Sequence, residues 1–135
     1  MAKKILSKKP KSPRRHFDMM SAAFEQTADH VVITDTEGVI LYVNPAFEKT
    51  TGYTKKDAIG QTPRILQSGK HDEKFYKKVW DTILSGRTFQ GTIINKKKNG
   101  ELYHSDQTIT PIHDEFGKIS NFISIWKDST ERTSA

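Results

Sequence analysis

The sequence predicts a single α+β domain, with a five-stranded antiparallel sheet that carries short helices and one long helix on one face. Its length of 135 residues suits one domain. Two strand-like segments precede a block of helical patterns, and three longer ones follow it. The Asn-Gly pair at residues 99–100 is typical of a hairpin turn, so neighbouring strands in the last group are expected to be antiparallel.

The N-terminal elements are one helix and one hairpin. Apolar residues at helical spacing predict an amphipathic N-terminal helix over residues 17–28. Residues 31–34 and 39–43 are strand candidates joined by a tight turn at Gly38. Because an isolated two-stranded hairpin is marginally stable, we expect it to join the later strands.

The helical block begins at Asn44, a good N-cap, followed by Pro45 at the first helical position. Short helices are predicted over residues 46–50 and 54–58, and then a connector over residues 61–69. The longest helix is predicted over residues 71–84, with His71 exposed in its first turn. The three last strands are predicted over residues 88–96, 101–112 and 118–128.

The positive charge of the chain is concentrated at its N-terminus. Residues 1–16 contain seven of the 22 basic residues and no acid. Such a segment is expected to be a disordered basic tail, and we interpret it as a solvated leader. A nucleic-acid or anionic-membrane contact is the alternative, but no aromatic residues alternate with the lysines as binding to single strands requires. We therefore predict no nucleic-acid partner.

Composition and motifs exclude several classes of function. The chain has no cysteine, which excludes disulfides, thiolate metal sites and a cysteine nucleophile. It has no apolar run long enough to cross a membrane and no secretory signal, so we expect a cytoplasmic protein. Nucleophile-elbow, phosphate-loop and metal-ligand spacings are also missing, so we predict neither catalysis nor a metal site.

Several motifs, at matching distances from one another, resemble those of PAS sensory domains. They are Ile33-Thr34-Asp35, residues 40–47, Thr51-Gly52-Tyr53, Ile59-Gly60, residues 98–101, Thr110-Pro111-Ile112 and residues 128–132. The resemblance implies the PAS fold with sheet order 2-1-5-4-3. It also implies a PAS domain over residues 29–132, preceded by a cap helix over residues 17–28.

The last of these motifs carries the implied signal output. In PAS domains, residues matching Asp128 and Thr130 pass the signal from the last strand to an effector domain. Their side chains can also fix the exit angle of the strand by local hydrogen bonds. The resemblance therefore implies signal transduction within a larger protein that carries the effector, such as a two-component histidine kinase or a diguanylate cyclase.

Residues 61–67 resemble the stretch that carries the photoactive cysteine in LOV flavin photoreceptors. Pro63 takes the place of that cysteine and cannot form a flavin adduct, which excludes the LOV photocycle. The resemblance places Arg64 at the flavin phosphate, Gln67 near the dimethylbenzene and ribityl side, and Asn95 at the pyrimidine edge. A second asparagine of the LOV pattern is replaced by Ser105, and the glutamine near flavin N5 by Trp126.

Strand alternation extends this set of candidate cofactor-binding residues. If Asn95, Ser105 and Trp126 point inward, so do Phe89, Gly91, Ile93, Tyr103, Gln107, Ile109, Phe122 and Ser124. Such a chamber suits a small molecule, with FAD or FMN implied by the resemblance. It equally suits a filled core, since Trp126 is large enough to plug the space. The histidine positions argue against haem, because the long helix has no histidine beyond His71.

Two functions remain open. The first is a sensor of a small ligand or a redox state, through a bound cofactor such as FAD or another metabolite. The second is a ligand-free interaction module that forms a homodimer through the N-terminal helix and the outer sheet face. That face would present Thr92, Ile94, Ile123 and Ile125.

Overall fold

The computed structural model describes residues 22–128, except for the side chain of Asp128, and contains the predicted antiparallel sheet. The strands are β1 (His30–Thr34), β2 (Ile40–Val43), β3 (Phe89–Lys96), β4 (Leu102–His113) and β5 (Ile119–Asp128). Their spatial order is β2-β1-β5-β4-β3, which confirms the order implied by the resemblance. The early hairpin joins the later strands through pairing of β1 with β5.

Strand β4 pairs with β3 through residues 102–109 and with β5 through residues 105–113. The turn before it has Gly100 at a φ of 92°, a conformation that glycine adopts without strain. Because this hairpin and the β4–β5 hairpin share one strand, their side chains alternate in phase. The register therefore decides which residues of three strands share the inner face.

The short helices begin at side-chain caps. In α2 (Pro45–Thr51), the Asn44 carboxamide oxygen accepts from the Phe47 N–H at 3.1 Å and from the Val31 N–H at 3.0 Å. Asn44 thereby ties the helix to β1. Helix α3 (Lys55–Ala58) begins with a capping box between Thr54 and Asp57.

The connector predicted over residues 61–69 contains a 3₁₀ helix, Pro63–Leu66, that sequence patterning missed. Pro63 occupies its first turn, where the missing N–H costs nothing. Four residues are too few to show a helical period, which explains the omission.

The long helix α4 (Glu73–Leu84) packs on β3 and β4 and begins two residues later than predicted, because Asp72 is its N-cap. Trp80 on this helix reaches the β1–β2 turn. A Cβ added at Gly38, where φ is 89°, would lie 3.0 Å from the Trp80 ring. Gly38 thus meets both a backbone and a packing requirement.

The core on the inner sheet face consists of two apolar clusters. The first lies under α2, α3 and the 3₁₀ helix and contains Val32, Ile40, Val43, Phe47, Ala58, Leu66, Tyr103 and Trp126. The second lies under α4 and contains Val79, Ile83, Ile109 and Phe122, with Trp80 and Phe89 packed against it.

Residues 60–71, here called the strap, cross the helical side of the sheet from one edge strand to the other. At the β2 edge, the Ile40 N–H donates to the Gln61 carbonyl at 2.7 Å, and the Gly60 N–H donates to the Ile40 carbonyl at 2.9 Å. These bonds satisfy backbone groups of an edge strand that would otherwise face solvent.

The strap is fastened to β3 at Ile94. The Ser68 hydroxyl donates to the Ile94 carbonyl at 2.7 Å, and the Ile94 N–H donates to Nε2 of His71 at 2.9 Å. Gln67 forms a β-bridge with Asn95 at the same edge. The expectation of an exposed His71 in the first turn of the long helix is wrong. The ring is half-buried and caps the edge strand instead.

Residues 22–26 form a helical segment, α1, which contacts β2. The Tyr42 hydroxyl donates to the Glu25 carboxylate at 2.7 Å. Burial, followed by this hydrogen bond and the charge of Glu25, raises the pKa of Tyr42 above its ordinary range. Of the predicted cap helix, residues 17–21 lie outside the described residues, as does the basic tail. Among residues 22–128, no helix is long and apolar enough to cross a bilayer.

Candidate functional site

The inner sheet face between the two apolar clusters carries the candidate site. All the residues predicted from strand alternation to point inward are buried or half-buried. Buried are Ile93, Asn95, Tyr103, Ser105, Gln107, Ile109, Phe122 and Trp126, and half-buried are Phe89, Gly91 and Ser124. The structure therefore brings the predicted side chains of β3, β4 and β5 together on one surface.

Three buried polar residues form a connected group, here called the polar belt: Asn95, Ser105 and Gln107. The Ser105 hydroxyl oxygen accepts from the Asn95 carboxamide at 3.2 Å and from the Gln107 carboxamide at 3.1 Å. It also donates to the Ile93 carbonyl at 2.8 Å. The carboxamides are at most 7% exposed, so they lie in a region of low dielectric where hydrogen bonds have a large effect.

Gly91 lies beside the polar belt, and the Phe89 ring fills the space above it. The glycine lies across from Gln107 in the β3–β4 register. The Phe89 ring covers this glycine so closely that an added Cβ would lie 2.9 Å from a ring carbon. One wall of the site therefore consists of an aromatic ring over bare backbone.

Trp126 bounds the polar belt on the β5 side. It is 3% exposed and lies opposite Gln107 in the β4–β5 register. Its ring is parallel to the His30 ring, with centroids 5.3 Å apart, and meets the Phe47 ring edge-on at 6.0 Å. The indole Nε1–H is buried and has no hydrogen-bond partner in the structure.

His30 is part of this site, although it was not among the predicted site residues. Its Nδ1 donates to the Trp126 carbonyl at 3.1 Å, and its ring also stacks near Tyr103 at 6.4 Å. The first strand was predicted to begin at residue 31, one position too late to include it. Alternation with the buried Val32 and Thr34 could have placed His30 inside.

Arg64 and Gln67 lie at the rim of the site and are not part of its buried surface. Arg64 is exposed on the 3₁₀ helix, and Gln67 is exposed immediately after it. The backbone of Gln67 nevertheless bridges to Asn95. Both side chains are thus near the β3 edge of the site, where only a ligand that extends to the surface could contact them.

Of the two predicted signal-relay residues, Asp128 and Thr130, the structure describes only the backbone of Asp128. The backbone of Asp128 pairs with Ser105 in the β4–β5 register, so the end of β5 lies directly beside the centre of the polar belt. Thr130 lies outside the described residues, and the side chain of Asp128 is not described.

The residues at this site fit a flavin bound without a covalent bond. The two carboxamides of the polar belt can each donate and accept, as the edge of a flavin ring requires. The buried indole N–H lacks an acceptor, which a ring nitrogen or carbonyl would supply. Pro63, in the place of the photoactive cysteine, offers no sulfur for an adduct.

The sequence was compared with protein families, and it matches one of them. The sequence matches the PAS domain over residues 28–131. A nitrogen fixation regulatory protein of Klebsiella oxytoca is 30% identical over 115 residues, which cover 85% of this chain and 23% of that protein. A blue-light-activated histidine kinase of Brucella canis is 32% identical over 116 residues, 84% of this chain and 24% of that protein. The chain thus spans about a quarter of the length of these curated relatives.

A solved structure agrees with the observed fold. The crystal structure of the PAS domain of a protein from Colwellia psychrerythraea superposes with a TM-score of 0.78 at 27% identity. The match covers 86% of this chain and 98% of that one. The sheet, the short helices and α4 are therefore a known arrangement.

Proposed function

Because this chain belongs to the PAS domain family, we propose that it senses a small ligand or a redox state through a flavin, FAD or FMN, held non-covalently against the polar belt. PAS domains are sensory modules, and the relatives of this chain are signalling proteins. The sensory class is common to the family, whereas the flavin is our proposal for this member. The chain itself carries no catalytic step in this proposal.

One observation carries the proposal. Buried polar groups lie between the two apolar clusters, although a domain of this size has only a small core to stabilise it. Asn95, Ser105 and Gln107 occupy inner-face positions where three apolar side chains would pack more favourably. A buried polar group without a hydrogen-bond partner is destabilising, and the Trp126 indole N–H is such a group. A ligand that these groups bind explains both features.

Each residue then has a defined role. Asn95 and Gln107 orient the ring edge, and Ser105 holds the two carboxamides in place. The exposed Arg64 is available for a phosphate at the rim. The two apolar clusters and the strap exclude water from the chamber. When bound, a flavin supplies reversible two-electron redox chemistry and a visible absorbance.

The register of the sheet provides the route for output. Asp128 is paired with Ser105, and Trp126 is paired with Gln107, so a shift of the polar belt acts directly on the last residues of β5. We propose that β5 passes this shift through Asp128 and Thr130 to an effector domain of the parent protein. A histidine kinase or a diguanylate cyclase is the proposed effector.

The test is the absorbance spectrum of the purified protein, with mass analysis of any molecule released on denaturation. Wild-type protein should be yellow, or become yellow on incubation with FAD or FMN. Asn95→Leu should lose the colour because it removes a polar-belt carboxamide. Thr92→Ala, an exposed position three residues earlier on the same strand, is the matched control and should keep it.

A colourless wild-type protein that releases no small molecule and takes up neither flavin would refute the flavin proposal. The colour lost in Asn95→Leu must also be separated from unfolding. Circular dichroism and urea denaturation of the variant serve that purpose, because a folded but colourless variant assigns the loss to the site.

A second function is favoured by the outer sheet face: a ligand-free module that forms a homodimer and binds other proteins. Ile33 and Ile123 are paired there in the β1–β5 register, and both are only half-buried within this chain. Ile125 and Ile94 are also half-buried on this face. A central apolar row of this kind is a candidate dimer contact, with the N-terminal helix as its other half.

Light scattering tests the second function. Removal of residues 1–28 should convert a dimer to a monomer, because it deletes the whole predicted cap helix. Removal of residues 1–16 alone is the control and should leave the protein dimeric. The same number of subunits for the two truncated proteins would count against a contact through this helix.

A further inference from the structure

The indole of Trp126 is a hydrogen-bond donor enclosed in the domain. The ring packs against a parallel His30 ring and meets the Phe47 ring edge-on, and these two contacts restrict its rotation. At 3% exposure it also cannot reach solvent. Its Nε1–H is therefore a buried donor on the inner face, and it has no hydrogen-bond acceptor in the structure.

Gln107, the polar neighbour of Trp126 on β4, makes no hydrogen bond with this donor. It is the cross-strand partner of Trp126, yet its carboxamide nitrogen donates to the Ser105 hydroxyl at 3.1 Å. The Trp126 carbonyl is occupied by the His30 Nδ1–H. Packing thus restricts the indole, while the polar belt keeps Gln107 turned toward Ser105.

We infer that Trp126 Nε1–H is the anchoring donor for the interior ligand, which must present an unprotonated acceptor there, either a carbonyl oxygen or a pyridine-type nitrogen. The inference rests on the proposed function, since it concerns the same chamber. It adds a requirement that the polar belt does not impose. The carboxamides of Asn95 and Gln107 can donate or accept, whereas an indole can only donate.

A donor-only anchor makes the site selective. A ligand with an N–H group at this position would place two donors face to face in a buried region, which is strongly unfavourable. A change that protonates the acceptor atom of a bound ligand has the same consequence. Trp126 would then distinguish protonation states of the ligand, two residues before the end of β5.

The test uses the full chain labelled with ¹⁵N at its tryptophans, with FAD as the probe. The chain has two tryptophans, so the spectrum contains two indole N–H signals, which Trp80→Phe assigns. Addition of FAD should move the Trp126 signal downfield and protect it from hydrogen exchange. Trp126→Phe should bind FAD roughly tenfold more weakly, as loss of one buried hydrogen bond implies.

A shape control separates the donor from the ring. Benzothienylalanine at position 126 replaces the N–H by sulfur and keeps the bicyclic shape. It should weaken FAD binding as much as Trp126→Phe does. Trp80→Phe changes the other tryptophan, which packs against the second cluster, and should leave FAD affinity unchanged.

Each other outcome overturns the inference in a distinguishable way. If FAD binds but the Trp126 signal stays still and benzothienylalanine binds normally, the flavin function stands and the anchor is wrong. If the ligand-free signal already shows a hydrogen bond that Gln107→Met removes, Gln107 is the acceptor and the anchor is wrong. If FAD does not bind to wild-type protein, both the flavin function and the anchor fail.

Discussion

The hydroxyl of Ser105 accepts hydrogen bonds from two carboxamides and donates to a backbone carbonyl, while the residue itself is fully buried. Removal of this single oxygen would take the acceptor from the Asn95 and Gln107 N–H groups and one donor from the Ile93 carbonyl. None of these groups can turn to water at that depth. The serine therefore has a structural role that precedes any role toward a ligand.

We expect Ser105→Ala to lower the free energy of unfolding by about 2–4 kcal/mol, since each buried group left unpaired costs about 1–3 kcal/mol and partial repacking recovers some of it. Ser120→Ala is the control. Its half-buried hydroxyl makes one hydrogen bond, to the Ile112 carbonyl, so its loss should cost about 1 kcal/mol or less. Urea denaturation measures both. If both substitutions lowered the free energy of unfolding by the same small amount, Ser105 would not stabilise the polar belt in the way described.

The site residues whose orientation follows from strand alternation were predictable from the sequence. Those whose position depends on a distant hydrogen-bond partner were not. Asn95, Ser105 and Trp126 were predicted to face inward, and they do. His71 was misjudged because its partner, the Ile94 N–H, is 23 positions away in the chain. Periodicity carries no information about a bond of that kind.

At the scale of elements, the strap is the part of the fold whose attachment can be tested directly. Its β3 end is held by two side chains that engage the same residue, with Ser68 on the Ile94 carbonyl and His71 on the Ile94 N–H. Asn95 follows immediately, so release of the strap would expose the rim of the polar belt. The His71 ring is also stacked on Phe75 at the start of α4, with centroids 3.9 Å apart.

His71→Ala should therefore raise the hydrogen-exchange rate of the Ile94 amide by one to two orders of magnitude, roughly what loss of about 1–3 kcal/mol of local stability gives. The exchange of amides in the middle of β5 should change little. His113→Ala, an exposed position at the end of β4, is the matched histidine control. An unchanged Ile94 amide in His71→Ala would show that the strap is held without this bond.

Helix α3 is joined to the β3–β4 turn by a second long-range contact. The Asp57 carboxylate accepts from the Lys98 ammonium at 3.0 Å and also caps the Thr54 N–H at 3.1 Å. The hydrogen bond from Lys98, and then that from Thr54, lower the pKa of the Asp57 carboxyl below its usual value. Because the folded pKa is lower than the unfolded one, the carboxylate stabilises the folded state above the unfolded pKa.

That stabilisation should disappear as the pH falls through the lowered pKa of Asp57, in the acid range below about 4. The urea midpoint of Asp57→Asn should therefore be lower than that of wild type at neutral pH and converge with it in acid. Lys98→Ala should show the same convergence, since it removes the other partner. Parallel curves for wild type and Asp57→Asn down to the lowest pH would rule out this linkage. The effect should be small, because the pair is solvent-exposed.

For the whole molecule, the fold was largely predictable because its signals are repetitive. Five strands, the turn glycines and the long amphipathic helix each follow a period or a turn rule. The sheet order needed the family resemblance, since nothing in the local pattern says that β5 lies between β1 and β4. The connector was predicted, but its 3₁₀ helix was missed because it is short, and its attachment to the sheet edges was missed because the bonding partners lie far away in sequence.

The two apolar clusters are separated by the polar belt, yet one strand joins them. Tyr103 of the first cluster and Ile109 of the second both lie on β4. If one half of β4 lost its pairing, the hydrogen bonds of the other half would be weakened as well, because both halves belong to one continuous strand. We therefore expect the described domain to unfold as one cooperative unit.

The two tryptophans make this expectation measurable, because each reports on one cluster. Trp126 belongs to the first cluster, and Trp80 packs against the second. In Trp80→Phe the fluorescence comes from the first cluster, and in Trp126→Phe it comes from the second. For each variant, the fluorescence transition in urea should coincide with the transition followed by far-ultraviolet circular dichroism.

If one tryptophan signal changes at a lower urea concentration than the circular dichroism of the same variant, the polar belt divides the core into separately unfolding halves. In that case binding at the belt would couple the two halves, because a ligand that contacts both clusters stabilises only the joined state.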